Sequence, residues 1–374
     1  MNNMRIIYLY AKMTPKNQDS STFFAGGAQK RVYQMAVYFA NKDHCVLLGS
    51  DDNDDTLIIQ DLKKQKVNHI SIPFRGSLFQ NFTAFFCLLK TIKKEKIEII
   101  HCNDRKTALF GYIISILTKR KMVYTARNTF KDKIYTKLFL GNNIVAVSLG
   151  VKNNLIQKFN IKKEKIAVIY NGTDIKHSTS EEVSHLRTKY NLSENKRIIT
   201  FVGRLSEQKG LFYLLDAINI VKIHFPEVII LFVGDGELRL ALEKKTVELS
   251  LNENIIFCGN QKNVQPYYDI CDFTVMSSLW EGLPGSGIES IMLGKPLIGT
   301  KVGGIPEIVL NGKNGFLVSP GDSEQLAQKI IELLLNPQLV YSMGKECLKV
   351  AAANFTLSQM LINYEKYYLK LYDK

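Results

Sequence analysis

The sequence predicts an α/β protein made of two doubly wound parallel-sheet domains, and three observations carry that expectation. Short apolar runs of strand length alternate with amphipathic runs of helix length along nearly the whole chain, the pattern of repeated strand–helix units. The alternation starts afresh after the turn Asn171-Gly172-Thr173-Asp174 and a polar, weakly periodic stretch. At 374 residues the chain exceeds one average domain, and no solenoid-like internal repeat is present. These signals place a first domain at 1–174, a linker at 175–195 and a second domain at 196–354. A last helix at 355–373, with no strand after it, is expected to cross back onto the first domain.

In the first domain, residues 5–10 read as a buried strand, and the helix after it carries apolar Val32, Met35, Ala36 and Phe39 at helical spacing. Gly26-Gly27 sits where loop meets helix, so backbone there could approach a phosphate beside Lys30 and Arg31; an ordinary loop accounts for the same residues. Strands follow at 45–48, 67–72, 97–101, 122–125, 143–148 and 166–170, with helices at 78–94, 106–119 and 132–140. In a parallel sheet functional groups gather beyond the strands' carboxyl ends. His101, Asn103 and Asp104 end one strand, and Arg127 and Asn128 end another. His101 could face such a site or be a satisfied buried histidine.

In the second domain strands are expected at 197–202, 228–233, 255–258, 273–277, 296–300 and 316–318, with helices between them. The first ends in Gly203-Arg204 and a loop reaching Lys209-Gly210; the second closes on Gly234-Asp235-Gly236. Arg204 offers a planar fork and Lys209 a point charge, a combination suited to a departing diphosphate, although a solvated basic loop explains two cations equally. The stretch 280–294, WEGLPGSGIESIMLG, sets Glu281 and Glu289 around a turn that opens a helix. Ser286 reads as the N-cap with Glu289 three residues on, a capping-box pattern, and a helix start of this kind attracts anions. A glycosidase-like acid and nucleophile pair is the competing reading of the two glutamates. The glycine-rich loop and nearby cations fit a nucleotide diphosphate better.

Net charge is +14, and all the excess lies in the first half: residues 1–175 hold 28 Lys+Arg against 13 Asp+Glu, and the rest 21 against 22. An anionic partner is implied for that half, or a lysine-rich compositional bias. Two of its helices, LFQNFTAFFCLLKTIKKEK and KTALFGYIISILTKRK, mix aromatics and aliphatics with terminal lysines, as helices at a membrane surface do and as helices packed on a sheet also do. The longest nearly apolar run, 108–117, is too short to span a bilayer, and the N-terminus lacks a signal-peptide pattern. Six scattered cysteines without metal spacing suggest reduced thiols in a cytoplasmic protein.

The motifs GRLSEQKG, VGDGELR, IIFCG, EGLPGSGIESIMLGKPLIGTKVGGIPEIV and NGKNGFLV, in this order and spacing, resemble the donor-binding domain of glycosyltransferase family 4. Its members are retaining, nucleotide-sugar-dependent enzymes of GT-B fold, two Rossmann-like doubly wound domains facing a central cleft. The resemblance is dense over 166–318; the first half shares only GGA after the first strand and the strand order. It implies that Arg204 and Lys209 hold the donor diphosphate, Glu289 the ribose hydroxyls, and Glu281 the transferred sugar. Gly282, Leu283, Pro284, Gly285, Ser286 and Gly287 would line sugar and phosphates, with Gly203, Gly234 and Gly259 at neighbouring strand ends and Gly27 approaching from the other domain. His101, Asn103, Arg127 and Asn128 are the acceptor-side candidates. Where much of the family has a histidine facing the donor sugar, this chain has Arg127, which cannot act as a base at neutral pH.

The implied reaction needs neither metal nor cofactor. It moves a hexose or N-acetylhexosamine from a nucleotide sugar, UDP by expectation, to a lipid-linked glycan in cell-surface polysaccharide or lipopolysaccharide synthesis, at the inner face of the membrane. A soluble acceptor, a sugar-nucleotide epimerase, and a non-enzymatic basic protein binding nucleic acid are the alternatives. The last lacks a recognition motif, so no nucleic-acid partner is expected. The sequence assigns no oligomeric state.

Overall fold

The computed structural model describes residues 3–14, 26–75, 77–130 and 140–372. The chain divides into two compact units, Met1–Ile169 with Leu361–Lys374, and Tyr170–Met360.

The first unit runs β1 (Arg5–Leu9), α1 (Gly27–Ala40), β2 (Cys45–Ser50), α2 (Leu57–Lys64), β3 (Asn68–Ser71), α3 (Leu78–Lys94), β4 (Ile99–Cys102), α4 (Arg105–Thr118), β5 (Lys121–Ala126), β6 (Ile144–Ala146), α5 (Leu149–Phe159) and β7 (Ile166–Val168). Among the described residues these strands form one parallel sheet in the order β3-β2-β1-β4-β5-β6-β7. Strand order reverses between β1 and β4, so their carboxyl ends open the crevice expected of a doubly wound sheet. Ile6, Ile7, Tyr8 and Leu9 are all buried because helices cover both faces, which explains why β1 reads as a continuous apolar run without alternation. The helix expected at 132–140 lies outside the described residues.

The second unit contains α6 (Ser180–Lys189), β8 (Ile198–Val202), α7 (Leu211–His224), β9 (Ile229–Val233), α8 (Arg239–Glu248), β10 (Ile255–Gly259), α9 (Gln265–Asp269), β11 (Phe273–Met276), α10 (Gly285–Met292), β12 (Leu297–Thr300), α11 (Ile305–Ile308), β13 (Gly315–Val318), α12 (Ser323–Leu335) and α13 (Pro337–Asn354). Its sheet has the order β10-β9-β8-β11-β12-β13, with the switch point between β8 and β11. Successive strand residues point to opposite faces. Ile199, Phe201, Ile230 and Phe232 therefore enter one core with α7 and α12, while Ile198, Ile229, Leu231 and Val233 enter the other.

Residues 175–195 are not a free linker. A capping box, in which the Thr179 side chain accepts from Glu182 N and Glu182 reaches back to Thr179 N, starts α6, and Leu186 buries into the second core. The boundary between the units falls instead at Ile169/Tyr170. The final helix α14 (Leu357–Tyr372) contains the other boundary: its residues from Leu361 onward belong to the first unit. There Tyr364 and Tyr368 are buried, and Glu365 accepts hydrogen bonds from Tyr38 of α1 and from Lys42 in the turn after it, each at 2.8 Å.

Candidate active site

The switch point of the second unit brings three loops together around Glu281. After β8, Gly203 N donates to Val233 O at 3.0 Å, and a Cβ on Gly234 would overlap the Gly203 carbonyl, so the ends of β8 and β9 touch through bare backbone. The loop then makes a short turn over Glu207–Lys209 and ends at Gly210, left-handed at φ 59°, where a side chain would strike the Ser277 carbonyl. From the loop after β11, Ser277 Oγ donates to Lys209 O at 2.8 Å and Leu279 N to Gln208 O at 2.8 Å. The loop after β12 closes the third side: Gly304 N donates to Gly282 O at 2.7 Å, and Gly303, at φ 53°, lies against the Glu281 backbone with no room for a Cβ.

Glu281, 5% exposed, is held by three side chains. Lys209 Nζ lies 2.5 Å from its Oε1, Ser278 Oγ donates to Oε1 at 2.9 Å, and Gln208 Nε2 donates to Oε2 at 3.2 Å. The ammonium of Lys209 is thus directed at a carboxylate, a pairing the sequence did not reveal. It has three donors, so the pair with Glu281 leaves capacity for an anion. Arg204 differs: its side chain is exposed and has no ion pair among the described residues, while its neighbour Leu205 is buried and bonded through backbone to Asp235 and Leu238.

The start of α10 corrects the sequence reading. Pro284 occupies the cap position at φ −69° and ψ 124°, so Ser286 lies inside the first turn and makes no capping box with Glu289. Proline is suited to the place because its fixed φ leads into the helix. The first N–H groups of α10 have no intrahelical acceptor, and no acidic side chain occupies that turn. Glu289, a turn further on, accepts from Tyr268 Oη at 3.3 Å, and the same hydroxyl donates to Ser286 O at 3.1 Å. Burial, with Glu289's charge adding, pushes the Tyr268 phenol well up, so it stays a donor to that carboxylate. Asn171 Nδ2 anchors the loop at Leu283 O, 3.1 Å. Gly234 N donates to Gly259 O at 2.9 Å, joining the next two strand ends.

In the first unit, Arg127 Nη2 donates to Asn103 Oδ1 at 2.7 Å, and Asn103 Nδ2 donates to His101 O at 3.2 Å. Arg127 Nε is buried without a hydrogen-bond partner. His101 does not face the crevice. It is fully buried; Nδ1 bonds to Tyr368 Oη and Nε2 to Thr125 Oγ1 at 2.7 Å. Burial, reinforced by the Arg127 charge, holds it neutral, well below the ordinary histidine range. Asn128 is spent locally, its Oδ1 accepting from Thr129 N at 2.9 Å. Gly27, exposed in the first turn of α1, has open space where a Cβ would stand.

Gln208, Ser278, Tyr268 and Asn171, which bond to Glu281, Glu289 and the loop at Leu283, are the candidate-site positions that sequence reasoning missed. Gln208 was the most accessible of them, since it stands between Arg204 and Lys209 in a motif already singled out.

Known proteins share the family and the fold. The sequence model of the family described as Glycosyl transferases group 1 matches residues 182–349, and that of Glycosyltransferase Family 4 matches 25–177. The chain is 26% identical over 320 residues to the UDP-Gal:alpha-D-GlcNAc-diphosphoundecaprenol alpha-1,3-galactosyltransferase of Escherichia coli, covering 79% of this chain and 81% of that one. It is 27% identical to the Staphylococcus aureus capsular polysaccharide biosynthesis glycosyltransferase CapM, covering 75% and 80%. The crystal structure of Anabaena HepE in complex with UDP superposes with a TM-score of 0.83 at 22% identity, over 98% of this chain and 100% of that one.

Proposed function

Because the chain belongs to glycosyltransferase family 4 and is a glycosyltransferase of GT-B fold, we propose that it transfers a hexose or N-acetylhexosamine, with retention, from a UDP-sugar to a lipid-linked glycan. The reading places the reaction in cell-surface polysaccharide or lipopolysaccharide synthesis, with the enzyme peripheral at the inner face of the membrane. Among the described residues no helix is long and apolar enough to cross one.

One observation carries the donor assignment: Lys209, the anion-ready start of α10 and exposed Arg204 all belong to the loops at one switch point. In this reading Arg204 and Lys209 neutralise the diphosphate as the glycosidic bond breaks. A phosphate oxygen of the leaving group takes the acceptor's proton on the face that the acceptor attacks, and no cofactor is invoked. Glu281 fixes Lys209 and meets the sugar, Glu289 takes the ribose hydroxyls, and loop 282–287 lines the donor. Support for UDP and for a lipid-linked acceptor comes from what the Anabaena and Escherichia coli proteins are named for binding and using. On the acceptor side, Arg127, set by Asn103, stands as an anion-binding group where the family resemblance implies a histidine.

Thermal unfolding against a panel of UDP-, GDP- and ADP-sugars tests the donor. A ligand at one hundred times its Kd stabilises by about 2.7 kcal/mol, which for a unit of this size is a rise of about 5–10 °C. Labelled-sugar transfer to a polyprenyl-diphosphate N-acetylglucosamine acceptor tests the reaction. Full activity in folded Lys209→Ala and Glu289→Ala enzymes would remove the basis of the proposal.

A further inference from the structure

Helix α3 is apolar on two faces, and only one of them meets the core. Ala84, Leu88 and Ile92 are fully buried, yet Phe79, Phe82 and Phe86, at helical spacing, are 80%, 64% and 62% exposed. On neighbouring α4 the same pattern leaves Leu109, Ile113, Ile116 and Leu117 exposed. A groove of 590 Å³ runs between the two helices, floored by Phe74, Phe85 and Phe110 and walled by Phe82, Phe86 and Ile113. The Phe74 and Phe110 rings meet edge to face at 5.4 Å, so the floor is packed rather than collapsed side chain. An apolar surface of this extent, left uncovered, marks a binding site.

One end of the groove is charged. Lys106, in the first turn of α4, lines it, and Phe74 in its floor is followed by exposed Arg75. Lys12, Arg75 and Lys106 follow β1, β3 and β4, so all three stand at the carboxyl edge of the sheet. Burial raises the Asp51 carboxyl there, and the charges of these three cations act against that rise. The other carboxylates there are occupied: Asp52 accepts from Met13 N and Thr14, and Asp104 caps α4 and accepts from Ala11 N. Cations at the sheet's carboxyl edge, one of them lining an apolar groove and another adjoining its lining, match an amphiphile with an anionic head.

We propose that the first unit holds a single phosphate-bearing lipid, its hydrocarbon chain lying between α3 and α4 and its phosphate or diphosphate held by Lys106, Arg75 and Lys12. This deepens the lipid-linked acceptor reading and rests on it: the head lies beyond the carboxyl ends of the strands, where the sugar-bearing end of such an acceptor is needed.

The test measures binding of the full-length protein to ethyl, hexyl, octyl and dodecyl phosphate as monomers, with inorganic phosphate as competitor, by calorimetry. Affinity is expected to rise by about fourfold for each methylene that enters the groove, then to level off when it is filled. Phe82→Asn with Ile113→Asn, both at exposed positions, is expected to flatten the chain-length series. Lys106→Gln with Arg75→Gln is expected to weaken every member at least tenfold while keeping the slope. A series without slope, a slope unchanged in the groove variant, or binding only to anionic phospholipid vesicles, which marks a bilayer-surface contact, each overturns the proposal. Sugar transfer separates the two readings. Transfer to a lipid-linked acceptor with unchanged KM in the groove variant refutes the groove and keeps the enzyme function. Chain-length-dependent binding without any UDP-sugar binding or transfer keeps the groove and refutes that function.

Discussion

Replacing Lys209 with methionine removes the cation from a pair whose side chains are 13% and 7% exposed and leaves the Glu281 carboxylate buried. Breaking such a pair from one side costs about 3–5 kcal/mol, because the remaining charge has neither water nor partner. Ser278 and Gln208 still donate to Glu281, which puts the expected loss near the lower bound, about 3 kcal/mol. For a unit of this size that lowers the melting transition by about 6–12 °C. The double variant Lys209→Met/Glu281→Gln removes both charges while nearly keeping the volume, and is expected within about 1 kcal/mol of the parent. Its stability returns while, on the proposed role of Lys209, sugar transfer stays absent, since the cation assigned to the diphosphate is gone. The assay is denaturant unfolding of parent, both single variants and the double, each repeated with UDP. Additive losses in the double variant would show that the two side chains are not coupled in solution. A UDP-induced stabilisation that survives Lys209→Met would refute the diphosphate role.

Gly303→Ala is expected to destabilise the second unit by more than about 2 kcal/mol and to abolish UDP binding, because a left-handed φ of 53° and the Glu281 carbonyl both oppose a Cβ. Gly27→Ala, with open space and no unusual φ, is expected to leave stability within about 1 kcal/mol of the parent, most simply as a gain from helix propensity. Both are read by thermal unfolding. His101 gives a pH prediction. Its folded form resists protonation while the unfolded chain accepts a proton near the ordinary value of about 6.5. Its contribution is therefore intact above about pH 6.5 and declines below it, by at most about 1.4 kcal/mol per pH unit, until the buried ring itself titrates. Urea midpoints of His101→Gln against parent between pH 5 and 7 should converge as pH falls, and parallel curves would refute the linkage. Tyr368→Phe removes a hydroxyl bonded to that ring and is expected to cost about 1–3 kcal/mol in the same measurement.

The alternation of strands and helices was legible because each core strand is covered on both faces, which makes it uniformly apolar, and each helix is punctuated by glycine or polar turns. That Arg204, Lys209 and Glu281 fall in loops following strands of one sheet was legible for a related reason, since strand order in a doubly wound sheet follows from few rules; Glu289 lies inside α10. What escaped was anything set by partners distant in sequence. His101 looks like a site residue until Tyr368, 267 positions later, closes its Nδ1. Ser286 looks like a cap until Pro284 takes that position by its backbone. Helix α6 was hidden by a mostly polar sequence in which Leu186 alone reaches deep burial.

The two units prepare their strand ends differently, and that difference bears on specificity. Around Glu281 the locks are backbone: glycines at 210, 234 and 303 approach carbonyls so closely that a Cβ would overlap them, and three loops hydrogen-bond to one another. Such a site is rigid before a ligand arrives, as stabilising a leaving group with fixed charges requires. Beyond β1, β3, β4 and β5 the charged groups are long side chains, Lys12, Arg75, Lys106 and Arg127, the last braced by Asn103. Those can follow a ligand of varied shape. Under the proposed function, strict recognition falls to the nucleotide side and tolerant recognition to the acceptor side. Substitutions at the glycines should abolish transfer from every donor, whereas substitutions at Arg75 or Arg127 should change which acceptors are used while leaving UDP binding in place.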